Sequence, residues 1–147
     1  MSMMRLASLV LPMLTAGCNG PLFLLPGGAL DGERVSAPSD WGFAGDSGTG
    51  QIETRPEDPY SVNLVFTVVE GRVYVNAGAS ETRWVKNIQA DPRVRLRIEG
   101  RIYELRADRV TDAAEIAAFG EAWTSQSFFR RDPRKPDEVW IYRLDPR

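Results

Sequence analysis

Side chains that move protons, attack carbonyls or hold metals are scarce in this chain. It has no histidine and one cysteine, Cys18. That excludes Ser-His-Asp and Cys-His nucleophilic machinery, a histidine base, and zinc or iron sites that need imidazole. A single thiol also excludes an internal disulfide and a multi-thiolate metal site. Gly45-Asp46-Ser47-Gly48 offers a serine, but no histidine or neighbouring lysine stands ready to take its proton. The run Gly45–Gly50 lacks the Gly-Lys-Ser/Thr ending and following helix of a phosphate-cradling loop, and Gly45–Gly48 reads as a flexible loop. The acid pairs Glu57-Asp58 and Asp31 with Glu33 read as solvated turn residues rather than carboxylates facing each other across a sugar. What remains is a cofactor that brings its own reactivity, or binding without chemistry.

Charged residues narrow the partners. The formal charge is −2 and the pI near 5.2, so no electropositive field suggests nucleic acid. Arg93, Arg95 and Arg97 share one face of a strand and fit either a phosphate-bearing ligand or plain solvent exposure. Arg130–Lys135 is a basic loop suited to anionic headgroups or to water. Trp41, Phe43, Trp84 and Trp123 fit either a pocket for small apolar ligands or ordinary core.

The elements that must position such residues follow from pattern. A chain of 147 residues holds one domain of ordinary size. Residues 1–17 read as a leader: Arg5 gives a positive start, Leu6–Leu14 an apolar run too short to span a bilayer, and small residues follow. Residues 18–51, rich in Gly, Pro and Ser but carrying Leu22–Leu25, Leu30, Trp41 and Phe43, read as an arm packed on the domain, with a short strand near Glu33–Ala37. Residues 52–147 read as the domain proper. Ser61–Val69 is a strand with Leu64, Phe66 and Val68 on one face, and Glu70-Gly71 turns it into Arg72–Asn76. Ser80 caps a helix over Glu81–Ala90, stopped by Asp91-Pro92. Arg93–Ile98 turns through Glu99-Gly100 into Ile102–Val110. Thr111 or Asp112 caps a second helix to about Trp123, with Ile116, Phe119 and Trp123 as its stripe, and Val139–Leu144 is the last strand. Hairpins dominate, so the fold is mainly β with two helices, a small antiparallel barrel whose ends the helices close.

Two resemblances add to this reading. Leu14-Thr15-Ala16-Gly17-Cys18 is similar to the bacterial lipoprotein lipobox. It implies cleavage before Cys18, acylation of its thiol, and a lipid-anchored, extracytoplasmic place in the cell envelope. Asn19, rather than aspartate, favours the outer membrane where one exists. Arg72–Asn76, Arg83-Trp84…Asn87-Ile88…Ala90-Asp91-Pro92-Arg93-Val94, Gly100 and Ala107–Val110 resemble the split β-barrel flavoproteins. The central motif is similar to the deazaflavin-dependent nitroreductase branch, and the hairpin-helix-hairpin frame to the pyridoxamine 5'-phosphate oxidase-like branch. The resemblance implies a six-stranded antiparallel split β-barrel of the FMN-binding type, a homodimer, and FMN or a deazaflavin near the subunit interface. Its cofactor residues fall on Arg72, Asn76, Ser80, Thr82 and Arg83. Ser80-Glu81-Thr82-Arg83 departs from the oxidase-like serine-lysine pattern by placing a glutamate where a phosphate should sit. Two readings stand side by side: a flavin- or deazaflavin-dependent oxidoreductase, and a non-catalytic envelope lipoprotein that has lost its cofactor. The absence of a twin-arginine pair in Met1–Leu14 favours the second.

Overall fold

The structure, a computed structural model, describes residues 20–78, 82–126 and 139–147. Cys18, the leader, Ser80, Glu81 and the basic loop Arg130–Lys135 lie outside them. Seven strands and two helices run in the order β1 (Glu33–Val35), β2 (Ser47–Thr54), β3 (Tyr60–Val69), β4 (Arg72–Gly78), α1 (Arg83–Ala90), β5 (Arg93–Ile98), β6 (Arg101–Arg109), α2 (Ala113–Ser125) and β7 (Val139–Pro146). Both Glu-Gly hairpins form where the sequence places them. Glu70 and Gly71 have φ of 50° and 74°, and Glu99 and Gly100 have 49° and 80°. Paired positive φ angles give the turn a twist that matches its flanking strands, which is why glycine serves at the second position.

Six strands close antiparallel in the order β2-β3-β4-β7-β6-β5 and back to β2. Mainly β with two helices, the barrel matches the fold the sequence implies. Its interior holds Ile52, Phe66, Val73, Val75, Val94, Leu96, Leu105 and Leu144, all 2% exposed or less. The split is visible in the register. β3 pairs with β4 only from Phe66↔Val75 to Val69↔Arg72, so Tyr60–Val65 and Asn76–Gly78 run unpaired with one another. α1 packs on β2 and β3, adding Trp84, Val85 and Ile88 to the core. β1 pairs in parallel with Arg101–Tyr103 of β6, next to the stretch of β6 that β7 covers. The arm packs too: Trp41 is 2% exposed, its ring 4.8 Å from that of Tyr103.

Three expectations are corrected. Gly45–Gly48 is not a loop throughout, because β2 already starts at Ser47. A Cβ on Gly48 would stand 2.7 Å from Cζ of Phe66, and one on Gly50 would stand 3.0 Å from the Arg97 carbonyl oxygen. These glycines make room for a ring and a neighbouring backbone rather than loosening the chain. α1 begins at Arg83 with Thr82 in the N-cap position, later than the helix over Glu81–Ala90 that the sequence suggests. α2 lies along an outer wall and does not close an end. Its Phe119 packs with Tyr74, Val139 and Ile141, a cluster separate from the interior one, on residues that alternate with the inward-facing Val73, Val75 and Tyr142. Asp112 is its cap, the carboxylate accepting from the Glu115 amide at 2.9 Å.

The Gly48–Phe66 contact is testable. Gly48→Val is expected to destabilise the domain by about 1–3 kcal/mol in chemical denaturation through overpacking. Adding Phe66→Leu should recover part of the loss. Equal stability of Gly48→Val and the parent would refute the contact.

Candidate functional site

The site is built on α1. Trp84, Val85 and Ile88 bury one helical face, and Asn87 adds a polar tie. Its Nδ2 donates to Oγ1 of Thr54 at 2.9 Å, and that hydroxyl donates to the Tyr60 carbonyl at 3.1 Å. One short chain of bonds thus links the helix to the end of β2 and the start of β3. The helix stops where Asp91 donates its amide to the Asn87 carbonyl at 2.9 Å, with Pro92 following.

At its amino end, Thr82 is extended, with φ −67° and ψ 158°, and makes no side-chain cap bond. Its Oγ1 is buried without a hydrogen-bond partner among the described residues. Arg83 is exposed, its guanidinium 4.8 Å over the Tyr60 ring. Two residues on, the Trp84 ring meets that of Tyr142 at 6.2 Å, edge to face. The Tyr142 hydroxyl is likewise buried without a partner, and burial pushes its pKa up against the opposing pull of Arg109. Arg109 itself lies 4.0 Å over the Trp140 ring. Buried hydroxyls are normally satisfied, so an unpartnered one near a helix start marks a place where a ligand atom fits. The free amides and dipole of that helix end favour an anionic group.

Arg72 and Asn76 stand elsewhere. By the alternation of β4 they share the outer face with Tyr74, under α2 and away from the interior. Arg72 lies 3.8 Å from Glu115, a carboxylate already engaged by Arg143 at 2.9 and 3.1 Å and by the Tyr74 hydroxyl at 2.8 Å. Burial alone would raise the Glu115 pKa, but the hydrogen bonds from Arg143 and Tyr74 outweigh it and hold the carboxyl below its ordinary value. Tyr74 is pushed from 10.0 up to about 12, first by burial and then by its bond to Glu115 and that group's charge. The structure therefore brings Thr82 and Arg83 together at the start of α1 and places Arg72 and Asn76 on a different wall. Ser80 lies outside the described residues.

The other sequence candidates resolve simply. Arg95 Nη1 reaches Glu53 at 3.1 Å and Arg97 Nη1 reaches Gln51 at 2.7 Å, both across to β2, while Arg93 engages Asp91, just before its own strand, at 2.7 Å. Glu57 leans on Arg93 and Asp58 on Arg55, which makes this acid pair surface ion-pair material. The aromatics divide among three places: Trp41 and Phe43 beside Tyr103, Trp84 on Tyr142, and Trp123 stacked on Phe119. Sequence reasoning missed Tyr60, Arg109, Trp140 and Tyr142. Alternation along Val139–Leu144 does separate Trp140 and Tyr142 from Val139 and Ile141. The contact of Tyr142 with α1, however, comes from barrel closure and leaves no mark in local sequence.

The sequence profile of the F420H(2)-dependent quinone reductase family matches residues 54–128. The chain belongs to this family. The stretch shared with the F420H(2)-dependent quinone reductases starts at Thr54, the acceptor of the Asn87 bond, and takes in Thr82, Arg83 and both helices. Solved structures share the fold at low identity. A protein described as a pyridoxamine 5'-phosphate oxidase, from Listeria innocua, aligns with TM-score 0.53 and 16% identity over 67% of this chain and 82% of its own. A conserved hypothetical protein from Mycobacterium tuberculosis gives 0.52 and 20%, over 67% and 72% of the two chains. The heme storage protein HutZ from Vibrio cholerae gives 0.51 and 18%, over 67% and 81%. No curated protein matches the chain.

The Tyr74–Glu115 pair sets pH limits on this family member. Glu115 has a lowered folded-state pKa, so its contribution is present above the ordinary carboxylate range and lost as pH falls through the folded value. Tyr74 has a raised one, so its contribution is present below 10.0 and lost as pH rises toward about 12. Tyr74→Phe is expected to cost about 1.5–3 kcal/mol at neutral pH, typical of a hydrogen bond to a charged group. It should also flatten the alkaline limb of stability against pH in urea titrations. An unchanged alkaline limb would rule the pair out as its source.

Proposed function

We propose that this member of the family is a deazaflavin-dependent oxidoreductase, anchored in the cell envelope through lipid on Cys18, that reduces a quinone-type acceptor. The observation that carries the reading is the start of α1, where the buried, unpartnered Thr82 hydroxyl lies beside Arg83 within the family-matched span. Thr82, the first amides of α1 and Arg83 suit an anionic cofactor group: a hydroxyl without a partner among the described residues, the N–H groups of a helix start, and an exposed guanidinium over an aromatic face. Bound there, a reduced deazaflavin supplies a hydride, which fits a chain without histidine. The protein's own tasks are then binding, orientation and exclusion of water. Trp84 and Tyr142 pack against each other beside the start of α1, and the Tyr142 hydroxyl has no partner among the described residues.

One observation favours a second reading, a barrel that has lost its cofactor. Arg72 leans on Glu115 and Arg83 stacks on Tyr60, so both basic candidates have partners inside the protein.

Thermal unfolding separates the two. A deazaflavin at 100 times its dissociation constant stabilises by about 2.7 kcal/mol, a shift of several degrees. Arg83→Ala is expected to weaken binding about tenfold, the size of one charge-assisted bond, while Arg72→Ala leaves it unchanged. A melting temperature unmoved by deazaflavin and by FMN overturns the enzyme reading. Movement by FMN alone corrects the cofactor. The anchor is checked by mass spectrometry of protein extracted from cell membranes. The expected first residue is Cys18 bearing acyl chains, and an unmodified Met1 would refute the anchor.

A further inference from the structure

Four consecutive apolar side chains stand in solvent at one turn. Leu22, Phe23, Leu24 and Leu25 are 63%, 84%, 99% and 66% exposed. Single exposed leucines are common on protein surfaces, but a contiguous run at one protruding tip is not. Nor is the tip a loose end. Leu22 and Leu25 exchange backbone hydrogen bonds at 3.1 and 2.8 Å, and Phe23 is held at a φ of 52°. Asn63 Nδ2 donates to the carbonyls of Phe23 at 2.8 Å and Pro21 at 3.4 Å. Asn63 is itself set by Gln51, whose Nε2 donates to its Oδ1 at 3.0 Å, and Gln51 by Arg97 at 2.7 Å. A relay across β5, β2 and β3 therefore fixes the turn. Just beyond it, Gly27 and Ser61 exchange backbone bonds at 2.9 and 2.8 Å.

We infer that this turn is a membrane-docking wedge that seats the outer face of β2 and β3 against a lipid bilayer. Two features select lipid over a second copy of the chain or another protein. Between Cys18 and Leu30 there is no charged residue, so nothing on the turn or in the segment leading into it resists entry into the acyl region. The backbone at the base of the turn is satisfied within the protein: Leu22 and Leu25 pair, Asn63 covers two carbonyls, and Pro21 and Pro26 have no N–H to leave bare. Lipid imposes that requirement and a wet protein interface does not. The wedge goes beyond the oxidoreductase reading and does not depend on it, nor on acylation.

The test uses the full chain with Cys18→Ser, which removes the only thiol, and Leu24→Cys carrying an environment-sensitive fluorophore. With phosphatidylcholine vesicles, the emission is expected to shift to the blue, rise severalfold and be quenched by spin label on the acyl chains. Leu22→Asp in the same background should abolish the shift. A label at Glu70→Cys, on the β3–β4 turn, should stay solvent-like. Protein that binds vesicles while the Leu24 label remains solvent-like overturns the wedge, as does protein that does not bind. A blue shift that grows with protein concentration without vesicles would assign the turn to a second copy and likewise overturn it.

Discussion

The pairing of β6 with β7 is the constraint on which the rest of the molecule depends. Five of the six barrel pairings join strands in ordinary sheet fashion, and this one turns the sheet into a closed wall. Closure decides which side chains meet. It brings Tyr142 of the last strand inside, to the Trp84 ring of α1, and leaves Tyr74 and Ile141 on the outside for α2 to cover. It also removes most sheet edges, leaving the start of β6 to be covered by the three residues of β1. Without closure the buried hydroxyls of Thr82 and Tyr142, the aromatic contacts around α1 and the Glu115 carboxylate of α2 would have no common frame.

Much of that frame can be read from residues. Glu70-Gly71 and Glu99-Gly100 announce hairpins because their turn needs two positive φ angles, which glycine accepts easily. Leu64, Phe66 and Val68, and Val94, Leu96 and Ile98, alternate cleanly because one face of each strand is core. The glycines before Ile52 mislead for a physical reason. Composition reports flexibility, whereas Gly48 is needed because the Phe66 ring crosses it, and a cross-strand neighbour is invisible before the register is known.

The candidate site is legible in part. Thr82 and Arg83 sit beside the Trp84–Asn87 motif, so a reading that starts from the motif finds them. Arg72 and Asn76 alternate with Val73, Val75 and Ala77, and that period already places them on the opposite face. Tyr60 and Tyr142 reach α1 through tertiary contacts with distant strands, and short-range pattern carries no trace of such contacts. The same holds for Asn87: the motif marks it, but its partner Thr54 emerges only with the fold.

The parallel pairing of β1 with β6 carries a consequence for how the chain assembles. The two Glu-Gly hairpins join neighbours in sequence and close quickly, on the microsecond scale typical of hairpins. β1 has to find Arg101–Tyr103 about 68 residues along the chain, for three residues of ladder. Such a contact gives little enthalpy for a large loss of chain entropy, so it belongs to the last stage of folding and the first stage of local opening. The arm that bears Leu22–Leu25 is therefore the late-arriving part of the molecule, laid over a barrel that has already closed.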